Sequence, residues 1–153
     1  MTVYGWTRAL RGSAQEVGDH LQEMEARDGG LTPEGVVTDA TRKRSPLHGY
    51  FEWNEGEAAA QYRLEQARHL MRSVSVVIEG REDKEPVRAF VRLLNNSHYR
   101  SLDVVLSDDG MRAELLSQAM RELKAWQRRY ADYVELAEVF AVIGVTENEL
   151  VVV

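Results

Sequence analysis

Arg42-Lys43-Arg44 is the only run of three consecutive basic residues in the chain, and Tyr50, Phe51 and Trp53 follow it as three aromatic residues within four positions. Guanidinium and ammonium groups hold phosphates by charge, and flat rings supply a wall or a stacking face for bases, so these residue types side by side suit a nucleic-acid contact. Arg42, Lys43, Arg44 and the neighbouring His48 are therefore the candidate nucleic-acid-binding residues. The competing reading is a solvated loop whose cations keep the surface soluble while the aromatic rings enter the core. A net charge of −6 makes the protein as a whole repel polyanions, so any such contact must be a local patch.

Other chemistries find less to work with. With no cysteine the chain can form no disulfide, thiolate nucleophile or cysteine-ligated zinc site. The histidines are His20, His48, His69 and His98, and none makes a paired-histidine helix motif. His48 with Glu52, and His20 with Glu23, could each offer a nitrogen and a carboxylate to one ion, but a stable site needs several converging ligands. No metal and no cofactor is expected. The sequence contains no phosphate-cradling P-loop, dinucleotide fingerprint or nucleophile elbow. Carboxylates are plentiful, yet Asp108-Asp109 has the form of a helix cap and 79–85 that of a solvated turn, so nothing selects a catalytic acid pair. The expected role is non-enzymatic, with a hydrolase using two unrecognised acids as the remoter alternative.

The elements that must carry the basic run follow from caps and periodicity. Residues 1–12 mix Tyr4, Trp6, Arg8 and Arg11 among glycines with no sustained period, an arm that must dock to be ordered. Ser13 with Glu16 is a capping-box pattern, and Ala14, Val17, Leu21 and Met24 recur at 3,4,3 spacing. Together they predict a first helix ending at Asp28-Gly29-Gly30. Thr32-Pro33-Glu34 predicts a short second helix with Val36, Val37 and Ala40 as its apolar face, stopped before Pro46. Asn54 with Glu57 repeats the cap pattern, and Ala60, Leu64, Ala67 and Met71 predict a third helix to about residue 73. The gap between helices two and three is too long for a simple helix-turn-helix.

From residue 74 the period changes to 2. Val74 to Ile78 is rich in β-branched residues and 79–85 is a charged turn. Val87, Ala89, Val91 and Leu93 then alternate with Arg88, Phe90, Arg92 and Leu94. A β-hairpin is predicted, with a short third strand near 98–102. Two strands alone are marginal in water, so the pair must lie on a helix or join strands of another chain. After Asp108-Asp109-Gly110, the residues Leu116, Ala119, Leu123, Trp126, Tyr130, Tyr133, Ala137 and Phe140 fall at strict 3,4 alternation, a heptad stripe. That stripe predicts one helix from 111 to about 142, roughly 48 Å long at about 1.5 Å per residue. Trp126, Tyr130, Tyr133 and Phe140 are the candidate interface residues, serving either the intrachain core or a subunit contact.

The fold class is α+β and mainly helical: N-terminal helices, a small antiparallel β-hairpin or sheet, and a long C-terminal helix. A length of 153 residues suggests a single domain over 1–153. Its parts are the 1–12 arm, a helical half over 13–73, a β-element over 74–106 and the long helix over 108–143. No leader-like apolar segment stands at the N-terminus and no apolar run approaches about 18 residues, so no membrane association and a cytoplasmic location are expected.

Four groups of residues carry a resemblance. They are Leu31-Thr32-Pro33-Glu34 with Val36-Val37; Ser45-Pro46-Leu47-His48 with Phe51-Glu52-Trp53; Ala58-Ala59 with Tyr62-Arg63-Leu64 and Ala67-Arg68; and Glu122-Leu123 with Arg128-Arg129-Tyr130. As a set, spanning residues 31–140, they resemble a family of small phage and prophage proteins without an established activity. The resemblance implies a viral or prophage origin and action inside a bacterial host, and it carries over no site residue. The expectation is a non-enzymatic phage accessory protein that binds DNA, or a DNA-processing complex of phage or host proteins, through the segment from Arg42 to Trp53. It would form a homo-oligomer through its hairpin or long helix. The alternative is a structural or assembly protein in which the same elements make protein contacts without nucleic acid.

Overall fold

The computed structural model describes residues 1–8, 10–77, 80 and 85–151. Among these the chain is α+β and mainly helical, with N-terminal helices, two small antiparallel sheets and a long helical C-terminal stretch. In place of the single domain that length suggests, it divides into two compact units, Met1–Ser107 and Asp108–Val153. The boundary falls where Asp108 caps a fresh helix by accepting the Met111 N–H at 2.7 Å.

In the first unit, α1 (Ala14–Asp28) begins with the Ser13 hydroxyl accepting the Glu16 N–H at 3.2 Å. It ends at Gly29, whose φ of 74° lets its N–H close on the Glu25 carbonyl at 2.8 Å. The stripe Ala14, Val17, Leu21 and Met24 is buried along its length, as the spacing requires. α2 (Pro33–Ala40) is capped by the Thr32 hydroxyl on the Gly35 N–H at 3.0 Å. α3 (Glu57–Ser73) starts later than the Asn54–Glu57 pattern predicts, with Gly56 at its N-cap and no side-chain cap. The Asn54 carbonyl instead accepts from Arg63 Nη1 at 3.0 Å, which holds the preceding segment beside the helix.

The docked arm supplies β1 (Tyr4–Trp6), which pairs antiparallel with β2 (Val74–Val76), and β2 pairs in turn with β3 (Val87–Arg88). This is the predicted hairpin with the arm added as a third strand. Of its predicted turn over 79–85, all but Gly80 and Glu85 lie outside the described residues. A second sheet joins β4 (Phe90–Arg92) to β5 (Tyr99–Ser101), the latter where a third strand is predicted. Ala89 separates the two sheets: its N–H donates to the Val74 carbonyl at 3.0 Å while its carbonyl accepts the Leu102 N–H at 2.8 Å. α4 (Leu102–Ser107) follows directly.

One core serves this unit. Leu21 and Met24 of α1, Val36 of α2 and Leu70 and Met71 of α3 meet Leu47, Phe90 and Tyr99 there, and full burial of such side chains contributes about 1.5–3 kcal/mol each. Tyr4 anchors the arm, its ring stacked on Phe90 at 6.3 Å and lying over Gly18. The lack of a Cβ at Gly18 makes room for it, since one there would stand 2.2 Å from Tyr4 Cγ.

The second unit corrects the expectation of one helix over 111–142. α5 (Asp109–Arg129) stops, a 3₁₀ turn follows at Val134–Leu136, and α6 (Ala137–Val151) folds back. The reversal brings Phe140 to 5.9 Å from Trp126, buries Ile143 and sets Lys124 Nζ 2.5 Å from Glu147. A straight rod would leave each of these without its partner. Asp132, a poor helix former, sits in the break.

Candidate functional site

The basic run occupies a tight reversal at the end of α2. The Arg42 N–H donates to the Asp39 carbonyl at 3.1 Å, the Ser45 N–H to the Arg42 carbonyl at 2.9 Å and the His48 N–H to the Ser45 carbonyl at 3.1 Å. Beneath it lies Asp39, whose side chain is only 2% exposed. Its Oδ2 accepts from Ser45 Oγ at 2.6 Å and from His20 Nε2 at 2.7 Å, and its Oδ1 takes Arg42 Nη2. Ser45 Oγ in turn accepts the Leu47 N–H at 3.1 Å. A carboxylate out of water is tolerated when donors surround it, and here three do. Because an ionised carboxylate only accepts, the proton on His20 sits at Nε2. Burial lowers the His20 pKa from its usual value, and the Arg42 and Arg27 cations press it down further against the opposing pull of Glu23 and Glu16. The ring is accordingly neutral around physiological pH.

On the solvent side Arg42, Lys43 and Arg44 are all exposed, and with His20, Ser45 and Pro46 they line a shallow recess of about 580 Å³. Arg42 is engaged by Asp39. Among the described residues neither Lys43 nor Arg44 pairs with a carboxylate. The turn therefore presents two unneutralised cations on a backbone hung from a buried anion.

His48 is not part of this surface, which corrects its assignment as a phosphate contact. Its Nδ1 donates to the Ala40 carbonyl at 2.7 Å and its ring stacks on Trp53 at 5.0 Å. It braces the turn from behind. The aromatic residues are likewise engaged internally: Phe51 is buried, Trp53 Nε1 donates to the His48 carbonyl at 3.1 Å, and Tyr50 packs on Trp6 at 5.8 Å. Arg63 lies over the Trp53 ring at 5.7 Å. Phe51 belongs to the core, and Tyr50 and Trp53 pack half-buried against it.

His20 is the residue that sequence reasoning missed. Its spacing to Glu23 drew attention as a metal pair, whereas the partner that matters, Asp39, is 19 positions away. Among the described residues no group of three or more histidines and carboxylates could hold a metal, and no hydroxyl hydrogen-bonds the His20 ring. No described helix is long and apolar enough to cross a membrane.

The predicted interface residues lie in the second unit and pack on one another. Ring centroids are 5.3 Å apart for Trp126–Tyr130, 5.9 Å for Trp126–Phe140 and 6.0 Å for Tyr130–Tyr133. They staple the turn between α5 and α6, with Tyr133 alone well exposed. No protein-family model, curated protein or solved structure matches the chain.

Proposed function

We propose that this is a non-enzymatic binding protein that holds the phosphate backbone of DNA at the 41–45 turn. The observation that carries the reading is the pair of unneutralised cations, Lys43 and Arg44, on a turn fixed by the buried Asp39 carboxylate. A fixed turn loses little conformational freedom on binding, which favours even a small patch. Contact is by charge and not by base stacking, so it is tolerant of sequence. The excess of carboxylates elsewhere, behind the net charge of −6, disfavours DNA beyond this turn. On the resemblance read from its motifs, the protein would be a phage-encoded accessory acting on DNA in the cytoplasm of a bacterial host.

Fluorescence anisotropy with a labelled duplex tests this. Neutralising two or three phosphates gives a log–log dependence of affinity on salt with a slope of about −2 to −3. Replacing Lys43 and Arg44 together by alanine should abolish binding without lowering the melting temperature, because both side chains are exposed and unpaired. A slope near zero, or equal binding by the double variant, would refute the reading. A second reading, an assembly protein without nucleic acid, is favoured by a separate observation, the apolar surface of α5 and α6.

A further inference from the structure

The second unit buries little of its own apolar surface. Ile143 is its one buried hydrophobic side chain among the described residues, while Val142 is 65% exposed and Val145 58%. α6 carries two apolar faces. Phe140 and Ile143 turn toward α5, as the Trp126–Phe140 contact and the burial of Ile143 require. Val139, Val142, Val145 and Leu150 spread over a flanking arc of about 140° at 3.6 residues per turn, and all four are exposed. On α5, Leu116 and Leu123 are exposed one heptad apart. A stripe of this kind on a short two-helix hairpin is the surface that a further pair of helices covers in a bundle.

Charge identifies the occupant. α5 carries Arg112, Arg121, Lys124, Arg128 and Arg129 against Asp109, Glu114 and Glu122, a net positive helix. From residue 130 to 151 the chain carries Asp132, Glu135, Glu138, Glu147 and Glu149 and no lysine or arginine. Inside one hairpin the two signs already meet in the Lys124–Glu147 pair. In a two-fold pair of hairpins, setting α6 of each copy against α5 of the other makes every neighbouring helix pair opposite in sign, whereas α6 against α6 would align carboxylates.

We infer that the α5–α6 hairpin is a dimerisation module whose partner is a second copy of this chain, with Val139, Val142, Val145 and Leu150 of one copy packed against the Leu116 and Leu123 face of the other. The contact residues are thus the exposed aliphatic side chains and not the aromatic staple. Two such hairpins form an antiparallel four-helix bundle with an isologous interface.

Light scattering on the full chain across a concentration series tests this. The wild type should approach twice its 17.4 kDa mass. Val142→Glu with Val145→Glu should return it to the monomer mass with its helical circular dichroism retained, since both side chains are solvent-exposed. Glu138→Lys with Glu149→Lys sets cations of α6 against the partner's basic α5 and should weaken association at least tenfold. A wild type that stays monomeric at every concentration, or a dimer indifferent to the two glutamates, overturns the proposal. Tighter association of the lysine variant overturns the α5–α6 arrangement, because only α6 against α6 would be relieved by removing carboxylates.

Discussion

Asp39→Ala should lower the stability of the first unit by about 3 kcal/mol, working from three unequal bonds. The Arg42 side chain is 60% exposed, so its pairing contributes no more than about 1 kcal/mol. The bonds from Ser45 Oγ and His20 Nε2 reach a carboxylate that is out of water, and each such charge-assisted bond is worth about 1.5–3 kcal/mol. His20 keeps 19% of its side-chain surface and can recover a water, and the Ser45 hydroxyl can rotate, so both belong at the lower end of that range. At about 4–8 °C per kcal/mol for a unit of this size, the melting temperature should fall by about 12–24 °C. Urea titration followed by tryptophan fluorescence reads this, and a Trp126→Phe background confines the signal to Trp6 and Trp53 of the first unit. The slope of free energy against urea should not change. A loss below about 1 kcal/mol, the cost of an exposed ion pair, would refute the claim that Asp39 holds the turn. So would a double-mutant cycle with Ser45→Ala that showed no coupling, since side chains in direct contact share about 0.5–3 kcal/mol.

Two further outcomes follow from the same packing. Gly18→Ala, which in an exposed helix would stabilise by about 1 kcal/mol, should destabilise here by about 1–3 kcal/mol, because the new Cβ meets the Tyr4 ring; a raised melting temperature would show that the arm does not sit on α1. Acidification should reveal His20: its pKa is lower in the folded chain than the usual value of about 6.5, so the unfolded chain takes up the proton first. Its contribution is complete above that value and is lost as the pH falls from there through the folded pKa. His20→Gln, which keeps a donor for Asp39, should therefore lose less stability than the wild type between about pH 7.5 and 5; parallel profiles would count against the assignment.

What could be read from the sequence is what local chemistry decides. The Ser13 and Thr32 caps, the α1 stripe and the switch to period 2 at Val74 each depend on residues within a few positions, and each appears where the spacing puts it. α3 starts later than the Asn54–Glu57 pattern predicts, at Glu57 behind Gly56, and the Asn54 carbonyl takes Arg63 nine positions on. The break at 130–133 leaves no local signature. The 3,4 spacing runs through it unbroken, and the chain reverses because Trp126 gains Phe140 and Lys124 gains Glu147. At the candidate site the three cations could be seen but the anion that fixes them could not, since nothing around Asp39 in the sequence distinguishes a buried carboxylate from a solvated one. The His48 Nδ1 bond to the Ala40 carbonyl spans 8 positions and leaves no local signature either.

The hand-over at Ala89 makes one residue a latch between two ladders. β3 has two residues and would be free to slide along β2 if it ended there, but a single residue, Ala89, joins it to β4 of the other sheet. A one-step slip beside β2 would pull on Ala89 and Phe90, which are both buried. The shortest strand among the described residues is thus kept in place by the residue that follows it, and an inserted or deleted residue between Val87 and Phe90 would disturb both sheets at once.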